Sequence, residues 1–250
     1  MPHVTLITPT ADRPLAFSFC ERWMRRAIGR FNEPVQWIVA DDGREPALCT
    51  LGQTHLLRPP ADDPATSFRG NLAAALAAAA GERILFIEDD DWYAADHLAQ
   101  LVADLDEAEI AGQARAKYYH VAARRHHRCR NRRHASLCQT GVRAALVPWL
   151  LDVLRDRPTT FVDVALWREG ARGVRQKLRP ASTTCVGIKG LPGRNGLGMG
   201  HRLDRRHAHD PQGEVLRDWI GPEDAAVYFD EIAAATGVGA RGVPCLRVSG

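Results

Sequence analysis

The sequence predicts an α/β protein with a mixed, mainly parallel sheet that has helices on both faces. Short β-rich runs alternate with segments in which apolar residues recur at helical spacing, and parallel strands need such crossover helices between them. The 250 residues are 45% apolar and 25% charged, as is typical of folded globular proteins. No apolar run reaches the ~18 residues of a membrane-spanning helix, and the first residues lack the order of a signal peptide. These features favour a cytoplasmic protein.

The amino-terminal region alternates between strand and helix patterns. Residues 4–8 (VTLIT) are rich in β-formers, and the following segment places Leu15, Phe19 and Trp23 at helical spacing. Residues 35–40 (VQWIVA) predict a second buried strand, which the turn sequence DDG closes. A strand, a helix and a second strand in this order predict the beginning of a parallel sheet.

The next elements lead to an acidic run. Residues 55–58 predict a short third strand, and Ser67 is a suitable N-cap for an alanine-rich helix that ends before Gly81. Residues 83–87 follow as a fourth strand, and FIEDDDWY (residues 86–93) places four acidic side chains at its carboxyl end. Because parallel sheets bind ligands beyond the carboxyl ends of their strands, we expect the acidic run and the DDG turn at one functional edge.

The second half of the chain has a different pattern. Residues 117–123 and 135–140 are expected to form a hairpin or mixed-sheet strands, joined through residues 129–131. Residues 147–154 and 161–167 have the apolar spacing of helices. The pattern therefore predicts that strands and helices continue beyond residue 112.

Two late segments differ from the rest. Residues 187–201 (GIKGLPGRNGLGMGH) contain six glycines, which is too many for a helix or a strand. Residues 222–235 predict a C-terminal helix with proline at its first position and Gly237 after its end. No repeat or linker divides the chain, so we expect residues 1–112 and 113–250 to be two halves of one domain.

The charges are unevenly distributed. Residues 86–109 contain nine acidic residues and no Lys or Arg, whereas residues 115–133 contain eight Lys or Arg and no acid. Removing those eight charges from the net charge of +3 leaves the rest of the chain at −5. A basic surface on an otherwise acidic protein indicates an anionic partner.

The acidic run is a candidate site for a divalent cation. Adjacent carboxylates repel one another and raise each other's pKa unless a cation or strong donors offset them. Hard oxygen ligands suit Mg²⁺ or Mn²⁺, which bind through one or two carboxylates together with substrate phosphates. The alternative is a solvated helix entry, since Asp and Glu favour the first turn of a helix.

Four motifs resemble, in order and spacing, the nucleotide-sugar-binding half of GT-A glycosyltransferases, especially family 2. They are PTADRP (residues 9–14), VADDG (39–43), SFRGNLAAALAAAAGE (67–82) and ILFIEDDDW (84–92). The resemblance implies a GT-A (Rossmann-like) fold, a UDP-sugar or similar donor, and Mn²⁺ or Mg²⁺. It also implies that the predicted hairpin lies on the acceptor side, with residues 1–112 binding the donor and residues 113–250 binding the acceptor.

The resemblance implies roles for individual residues. In that family the first loop and the Asp after the second strand hold the nucleoside, and a DxD-type motif holds the metal. The metal-binding register is open between Glu88-Asp89-Asp90 and Asp89-Asp90-Asp91. Arg69 and Asn71 fit either the diphosphate side or ordinary helix surface. The implied donor-binding residues are Thr8, Pro9, Thr10, Arg13, Asp41 or Asp42, Arg69, Asn71 and Asp89, and the implied metal ligands are Asp89, Asp90, Asp91 and His201.

The glycine-rich segment and a later acid complete the implied site. Lys189, Arg194 and backbone N–H groups of the segment would close over phosphates as a lid, and His201 looks like the late histidine that several GT-A enzymes bring to the metal. Inverting members use a carboxylate as general base for the acceptor hydroxyl. Asp163 stands at a comparable place, where Val-Asp replaces the usual Glu-Asp pair; capping its own helix is the alternative role. The other candidates for the base are Asp91 and Asp210.

The basic stretch, residues 115–138, is a candidate surface for nucleic acid. Its Lys and Arg residues suit phosphate contacts, and its two tyrosines suit base stacking. The alternative is an edge hairpin whose charge blocks aggregation. The candidate contacts are Arg115, Lys117, Tyr118, Tyr119, Arg124, Arg125, Arg128, Arg130, Arg132 and Arg133.

The spacing of the cysteines indicates neither a metal site nor a disulfide framework. The six cysteines form no CxxC pair, so we expect reduced thiols. A zinc site in the basic stretch is a weaker alternative, because its ligands match no standard spacing. Those ligands would be His126, His127, Cys129, His134 and Cys138.

Together these features predict a metal-dependent glycosyltransferase that inverts the sugar carbon. The preferred acceptor is a hydroxymethylated pyrimidine in DNA, extruded from its stack, and the alternative is a bacterial glycan or a lipid-linked acceptor. A nucleotidylyltransferase would share the sheet and the metal, but no Gly-rich loop with Lys or Arg follows the first strand to receive a triphosphate. A non-catalytic nucleic-acid-binding module would leave the acidic run without a role.

Overall fold

The computed structural model describes residues 3–159, 161–198 and 200–236, so Gly237 and Cys245 lie outside the described residues. Its strands are β1 (Val4–Thr10), β2 (Val35–Asp41), β3 (Thr54–Leu57), β4 (Arg83–Phe86), β5 (Trp92–Tyr93), β6 (Ile110–Gln113), β7 (Lys117–His120), β8 (Arg125–Arg128), β9 (Thr140–Arg143), β10 (Gln176–Arg179), β11 (Cys185–Lys189) and β12 (Ala208–His209). Its helices are α1 (Pro14–Gly29), α2 (Pro64–Ala78), α3 (His97–Glu107), α4 (Val147–Asp156), α5 (Val162–Ala165), α6 (Glu214–Ile220) and α7 (Pro222–Thr236). A π-helical turn, Leu166–Gly170, continues α5.

The main sheet has seven strands in the order β10-β6-β9-β4-β1-β2-β3. β3, β2, β1 and β4 are parallel neighbours, whereas β9 runs antiparallel between β4 and β6. The predicted α/β class with a mixed, mainly parallel sheet is confirmed. β9 comes from the second half of the chain yet lies inside this sheet, so the two halves are not separate in the fold. Their division at residue 112 into a donor half and an acceptor half stays a prediction about function.

A second sheet lies next to the acidic run. Its five strands follow the order β12-β8-β7-β11-β5. β5 begins directly after the acidic run, and β11 joins it to the rest of the sheet through the antiparallel pair Cys185 and Tyr93. This sheet therefore brings residues from the last third of the chain to the carboxyl end of β4.

Apolar side chains fill both faces of the main sheet. Trp23 of α1, Leu98 of α3 and Tyr228 of α7 belong to one core cluster, and Leu72 of α2 and Leu150 of α4 belong to the other. The predicted helices on both faces are thus confirmed. No helix of the described residues is both long and apolar enough to cross a membrane.

The C-terminal helix α7 is fastened to α1 and to β5. Tyr228 Oη accepts a hydrogen bond from the indole N–H of Trp23 at 2.7 Å. Asp224 accepts from the indole N–H of Trp92 at 2.7 Å and pairs with Arg26 at 2.8 Å. α7 therefore supports the strand that follows the acidic run.

Two local predictions about caps and pairing were wrong. The N-cap of α2 is Asp63 rather than Ser67, because its carboxylate accepts from the backbone N–H of Thr66 at 2.8 Å and the helix begins at Pro64. β7 pairs with β8, not with residues 135–140. The chain reverses within residues 121–124, so the partner strand comes earlier than the sequence pattern indicated.

The prediction that residues 187–201 contain no strand was also wrong. Gly187 and Lys189 lie in the buried strand β11. A Cβ at position 187 would lie 2.4 Å from the ring of Tyr118, so the glycine leaves room for that ring rather than marking a loop. The loop starts only at Gly190, whose φ is +78°.

Gly81→Ala is expected to destabilise the fold. The added Cβ would lie 2.7 Å from the backbone N of Thr5 and 2.8 Å from the carbonyl carbon of Val4, so β1 would have to shift. Overpacking of this kind costs about 1–3 kcal/mol. In the matched control, Gly29→Ala at the end of α1, nothing lies within 4 Å of the added Cβ, and we expect a gain of up to ~1 kcal/mol. Urea denaturation measures both, and equal stabilities would contradict the close approach.

Candidate functional site

Four consecutive carboxylates lie just beyond the carboxyl end of β4. We call Glu88, Asp89, Asp90 and Asp91 the acidic cluster. The three aspartates are at most 3% exposed, whereas Glu88 keeps 30% of its side chain exposed. A buried carboxylate is tolerated only where cations or hydrogen-bond donors face it. The neighbours of the acidic cluster therefore decide what it can do.

Arg13, from the loop after β1, pairs with two members of the acidic cluster. Its Nη1 lies 2.6 Å from Asp89 Oδ1, and its Nη2 lies 2.6 Å from Asp90 Oδ2. Thr10 Oγ1 donates to the other oxygen of Asp89 at 2.7 Å. Both oxygens of Asp89 are thus occupied by the first loop.

Lys189 lies between the other three carboxylates. Its Nζ is 2.8 Å from Asp90 Oδ1, 2.8 Å from Asp91 Oδ1 and 3.9 Å from Glu88 Oε2. Burial opposes ionisation of Asp90, but Arg13 and Lys189 outweigh it and hold the pKa of Asp90 well below its usual range. Lys189 was predicted to belong to a lid, yet in β11 it is a fixed, buried counter-charge.

Arg13 and Lys189 do not balance the charge of the acidic cluster. Four carboxylates face these two permanent cations. The imidazole of His201 lies 3.2 Å from Asp90 Oδ2, but burial lowers its pKa and so favours its neutral form. Burial, together with the neighbouring carboxylates, raises the pKa of Glu88 to about 7. Burial and like charges thus favour the protonated forms of Glu88 and Asp91, whose pKa values are raised, and a bound cation would take the place of those protons.

Part of the acidic cluster has the spacing of metal ligands. One oxygen each from Glu88, Asp90 and Asp91 lie within 4.8 Å of one another. Asp91 Oδ2 is buried and has no hydrogen-bond donor among the described residues. Hard oxygens with one nearby imidazole, that of His201, suit Mg²⁺ or Mn²⁺. Asp89 is not in this set, because Arg13 and Thr10 engage it.

A cavity of about 150 Å³ opens between the acidic cluster and α2. Its walls come from the loop after β1, from one face of α2, from the acidic cluster and from the glycine-rich segment. The predicted site residues that it brings together are Pro9, Thr10, Arg13, Asn71, Asp89, Asp90, Arg194 and His201.

Asp41 and Asp42, predicted to bind the nucleoside, are used inside the protein instead. Asp41 accepts the backbone N–H groups of Gly43 and Ala47 at 2.8 and 2.7 Å. Asp42 accepts from Ser67 Oγ at 2.6 Å and from Asn71 Nδ2 at 2.8 Å. Neither carboxylate lines the cavity. They shape the turn after β2 and anchor α2 to it.

Three other predicted donor-binding residues also have internal partners. Thr8 Oγ1 accepts from the indole of Trp37 at 3.0 Å, and Arg69 donates to the carbonyl of Leu154 on the side of α2 away from the cavity. Arg194 does line the cavity, but its Nη2 donates to the backbone carbonyls of residues 61 and 62 at 2.7 and 2.8 Å. Arg194 therefore fastens the glycine-rich segment to the loop before α2.

Asp163 lies in the first turn of α5, and its carboxylate contributes to the raised pKa of Glu88. No side chain of the described residues donates a hydrogen bond to it, and burial raises its pKa although the backbone N–H of Val164 opposes this. Asp163 is thus a half-buried, basic carboxylate beside the acidic cluster. The alternative base Asp210 is occupied, since it accepts from Tyr119 Oη at 3.0 Å and caps α6.

The structure divides the basic stretch into buried, paired and exposed residues. Tyr118 and Tyr119 are at most 9% exposed, so the prediction that they stack on bases was wrong. Their neighbours on the β7–β8 hairpin contact the protein itself: Lys117 and Arg128 lie over the ring of Trp219, Arg124 lies over Phe229, and Arg125 bonds His209. The exposed guanidinium groups belong to Arg115, Arg128, Arg130, Arg132 and Arg133.

The alternative zinc ligands are not brought together. Within the described residues Cys138 groups with Asp91 and Cys185, not with the histidines of the basic stretch. The five cysteines that the structure describes are free thiols, and their reduced state stays a prediction.

Ser67 and Phe68 are among the cavity residues that were not predicted from the sequence. They share one face of α2 with Pro64 and Asn71, at spacings of three, four and seven residues. Arg69 was chosen for its charge, although it lies on another face. Helical periodicity within the motif is the signal that identifies these residues.

Residues 65–152 match the sequence model of the family described as Glycosyl transferase family 2. No curated protein sequence matches the chain.

Solved structures share the fold at low identity. S. aureus TarS 1-349 is 14% identical with a TM-score of 0.51, over 74% of this chain and 60% of that chain. The same TarS fragment in complex with UDP-GlcNAc aligns over 93% of this chain and 72% of that chain, with a TM-score of 0.50. Mannosyltransferase PcManGT from Pyrobaculum calidifontis, in complex with GDP-Man and Mn²⁺, is 16% identical with a TM-score of 0.51, over 97% and 77% of the two chains. This chain thus spans less than two thirds of the first TarS structure.

Proposed function

We propose that this chain, which matches the family 2 model over residues 65–152 and shares its fold with TarS and PcManGT, is a glycosyltransferase that transfers a sugar from a UDP-sugar to an acceptor hydroxyl, with inversion. The observation that carries this proposal is the position of Arg13, which lines the cavity and pairs with Asp89 and Asp90 at its base. A nucleotide-sugar loses a diphosphate, and fixed positive charge at the leaving group stabilises its departure. Arg13, held by two carboxylates, is such a charge.

We include a divalent cation, Mn²⁺ or Mg²⁺, in the proposal. The residues fit this ion, because the acidic cluster has two more carboxylates than permanent cations and Asp91 Oδ2 has no hydrogen-bond partner among the described residues. Asp90 and His201 would hold the ion together with Glu88 and Asp91. When bound, the ion supplies Lewis-acid stabilisation of the departing diphosphate. PcManGT, which has the same fold, was solved with Mn²⁺.

The donor would enter beneath the glycine-rich segment. Cavities that hold a small-molecule ligand usually enclose ~300–1,000 Å³, whereas this cavity encloses about 150 Å³. Residues 195–198 line it next to the anchored Arg194, and we propose that they act as a lid that opens to admit the donor. TarS was solved with UDP-GlcNAc and PcManGT with GDP-Man; we propose UDP as the nucleotide for this chain.

Asp163 is the proposed general base. Its carboxylate is half-buried, accepts from no side chain in the described part of the protein and is close enough to Glu88 to influence the pKa of Glu88. A raised pKa makes a carboxylate a stronger base for a hydroxyl proton. We propose that Asp163 takes the proton of the acceptor hydroxyl as that hydroxyl attacks the sugar carbon.

The proposed acceptor is a hydroxymethylated pyrimidine in DNA. The exposed arginines Arg130, Arg132 and Arg133 support a polyanionic acceptor, because they present positive charge to solvent. The decisive experiment incubates the protein with radiolabelled UDP-sugars and with either hydroxymethylated or plain DNA. Label in the hydroxymethylated DNA alone supports the proposal, whereas label in neither DNA removes this acceptor.

His201→Ala is expected to weaken Mn²⁺ binding by at least ~10-fold, since changes around a metal site commonly cost 10- to 100-fold in affinity. Calorimetric titration with Mn²⁺ in the presence of UDP measures the effect. The matched control is His209→Ala, because the His209 ring is exposed and bonds Arg125 at the protein surface. Equal Mn²⁺ affinity in the two variants would remove His201 from the proposed ligand set.

A further inference from the structure

Four arginines gather at one loop beside α5. The loop comprises residues 129–134, and we call it, together with Arg115, the basic loop. Asn131 organises it: its side chain accepts from the backbone N–H of Ala116 at 3.1 Å and donates to the carbonyl of His134 at 2.8 Å. The backbone N–H of Arg115 also donates to the carbonyl of Asn131 at 2.9 Å. These contacts fix the loop and bring Arg115 to the others.

The charges of the basic loop are not used inside the protein. Arg115, Arg130, Arg132 and Arg133 are all exposed, and none of them has a carboxylate partner in the described part of the chain. By contrast, Arg128 of the hairpin lies over Trp219 and approaches Asp218 at 4.0 Å. Four unpaired guanidinium groups on one short loop repel each other unless an anion lies among them.

The basic loop is next to the proposed base. An added Cβ at Gly112 would lie 2.7 Å from Ala135, directly after the loop, and 2.8 Å from Trp167, which follows α5. The loop residue His134 is close enough to Asp163 to act on its carboxylate electrostatically. The end of the loop therefore packs against the helical segment that carries Asp163.

An exposed aromatic ring precedes Asp163. Phe161 is 57% exposed and is the residue before the first turn of α5. Its backbone carbonyl accepts the N–H of Ala165 at 3.2 Å, so its position relative to Asp163 is fixed by the helix. An exposed aromatic ring and exposed guanidinium groups are the two kinds of group that bind single-stranded nucleic acid, in which bases stack and phosphates meet cations.

We propose that the basic loop and Phe161 hold the DNA strand on either side of the acceptor nucleotide. Arg132 and Arg133 contact phosphates, and Phe161 stacks on a neighbouring base, so that the target hydroxyl reaches Asp163. This inference rests on the proposed sugar transfer to DNA, and it identifies the protein surface that binds the DNA strand. It limits that surface to the loop and excludes the β7–β8 hairpin, where Arg125 bonds His209, and Arg128, although exposed, lies over Trp219 and approaches Asp218 at 4.0 Å.

The test measures binding of a fluorescent hydroxymethylated oligonucleotide to the whole protein without donor. We expect Arg132→Ala/Arg133→Ala to weaken binding and to lower the slope of log affinity against log salt by about 1.4–1.8, as loss of two phosphate contacts requires. Phe161→Ala should weaken binding roughly 5- to 100-fold, as for a lost stacking contact, with the salt slope unchanged. The matched control is Arg125→Ala/Arg128→Ala, which removes the same charge from the hairpin and should keep most of the affinity.

Several outcomes separate this inference from the proposed function. If the control variant loses as much affinity and salt slope as the loop variant, the assignment to the basic loop is overturned. If inorganic polyphosphate of equal charge competes as well as DNA and Phe161→Ala has no effect, the surface recognises charge alone and DNA is not its ligand. The Arg132→Ala/Arg133→Ala variant should bind UDP as tightly as the unmodified protein does. If neither the unmodified protein nor any variant binds UDP, the proposed sugar transfer is refuted instead.

Discussion

Lys189→Met is expected to lower the free energy of unfolding by about 3–5 kcal/mol, which is the usual cost of removing one partner from a buried ion pair. Lys189 is 3% exposed in its side chain and contacts Asp90 and Asp91 at 2.8 Å each. Without its ammonium group, two buried carboxylates next to Glu88 lose their shared cation. Methionine keeps most of the volume, so the loss reports the charge rather than a cavity. Urea denaturation measures it.

The matched control is Lys177→Met. Lys177 also joins two carboxylates, Asp104 at 3.0 Å and Glu107 at 2.7 Å, but its side chain is 33% exposed and Arg179 also pairs with Asp104. Water and the second cation compensate for its loss, so we expect a change of only ~0–1 kcal/mol. If both variants lower the free energy of unfolding by the same amount, burial does not make the ion pairs of Lys189 more important for stability than those of Lys177.

Asp163→Asn is expected to reduce sugar transfer by about 10²- to 10⁴-fold, the usual contribution of a general base. The amide keeps the size of the side chain but cannot accept the hydroxyl proton. Donor binding should be unchanged, because Asp163 does not line the donor cavity. Initial rates with saturating donor and acceptor, together with calorimetry of UDP binding, separate the two effects.

Asp152→Asn on the exposed side of α4 is the control for Asp163→Asn. Asp152 pairs with Arg155 at the surface, and its side chain is 60% exposed. We expect its variant to retain full activity. If Asp163→Asn also retains activity, another group removes the proton and Asp163 only caps its helix.

The fold and the place of the site were predictable because their signals are local. A β-rich run followed by a turn sequence identifies a strand and its end, as at β1, β2 and β4. The edge where the acidic cluster lies then follows from the rule that parallel strands bind ligands at their carboxyl ends. Asp89 and Asp90 at the cavity, with Arg13 beside them, agree with that reasoning.

The partners of the acidic cluster were less predictable because they are distant in sequence. Lys189 is 98 residues from Asp91, and its glycine-rich surroundings indicate a loop. The second sheet shows that Gly187 leaves room for the ring of Tyr118 and that the strand continues to Lys189. A sequence pattern shows how often apolar residues recur along a strand or helix. It does not show which distant side chain packs against a glycine in that strand.

Asp41 and Asp42 illustrate a different limit. An aspartate in a turn binds either a ligand or its own backbone, and the sequence is the same in both cases. Here Gly43 and Ala47 supply the N–H groups for Asp41, so the local turn uses the carboxylate. Family resemblance favoured the ligand, and the structure favours the turn.

The attachment of α7 limits where the polypeptide can be shortened. Any truncation before Pro222 removes Asp224 and Tyr228, which are the acceptors for the indole groups of Trp92 and Trp23. Two tryptophans would then be rehydrated, one of them adjacent to Asp91, and their fluorescence emission would shift to the red. Shortened versions of this protein therefore have to retain Asp224 and Tyr228.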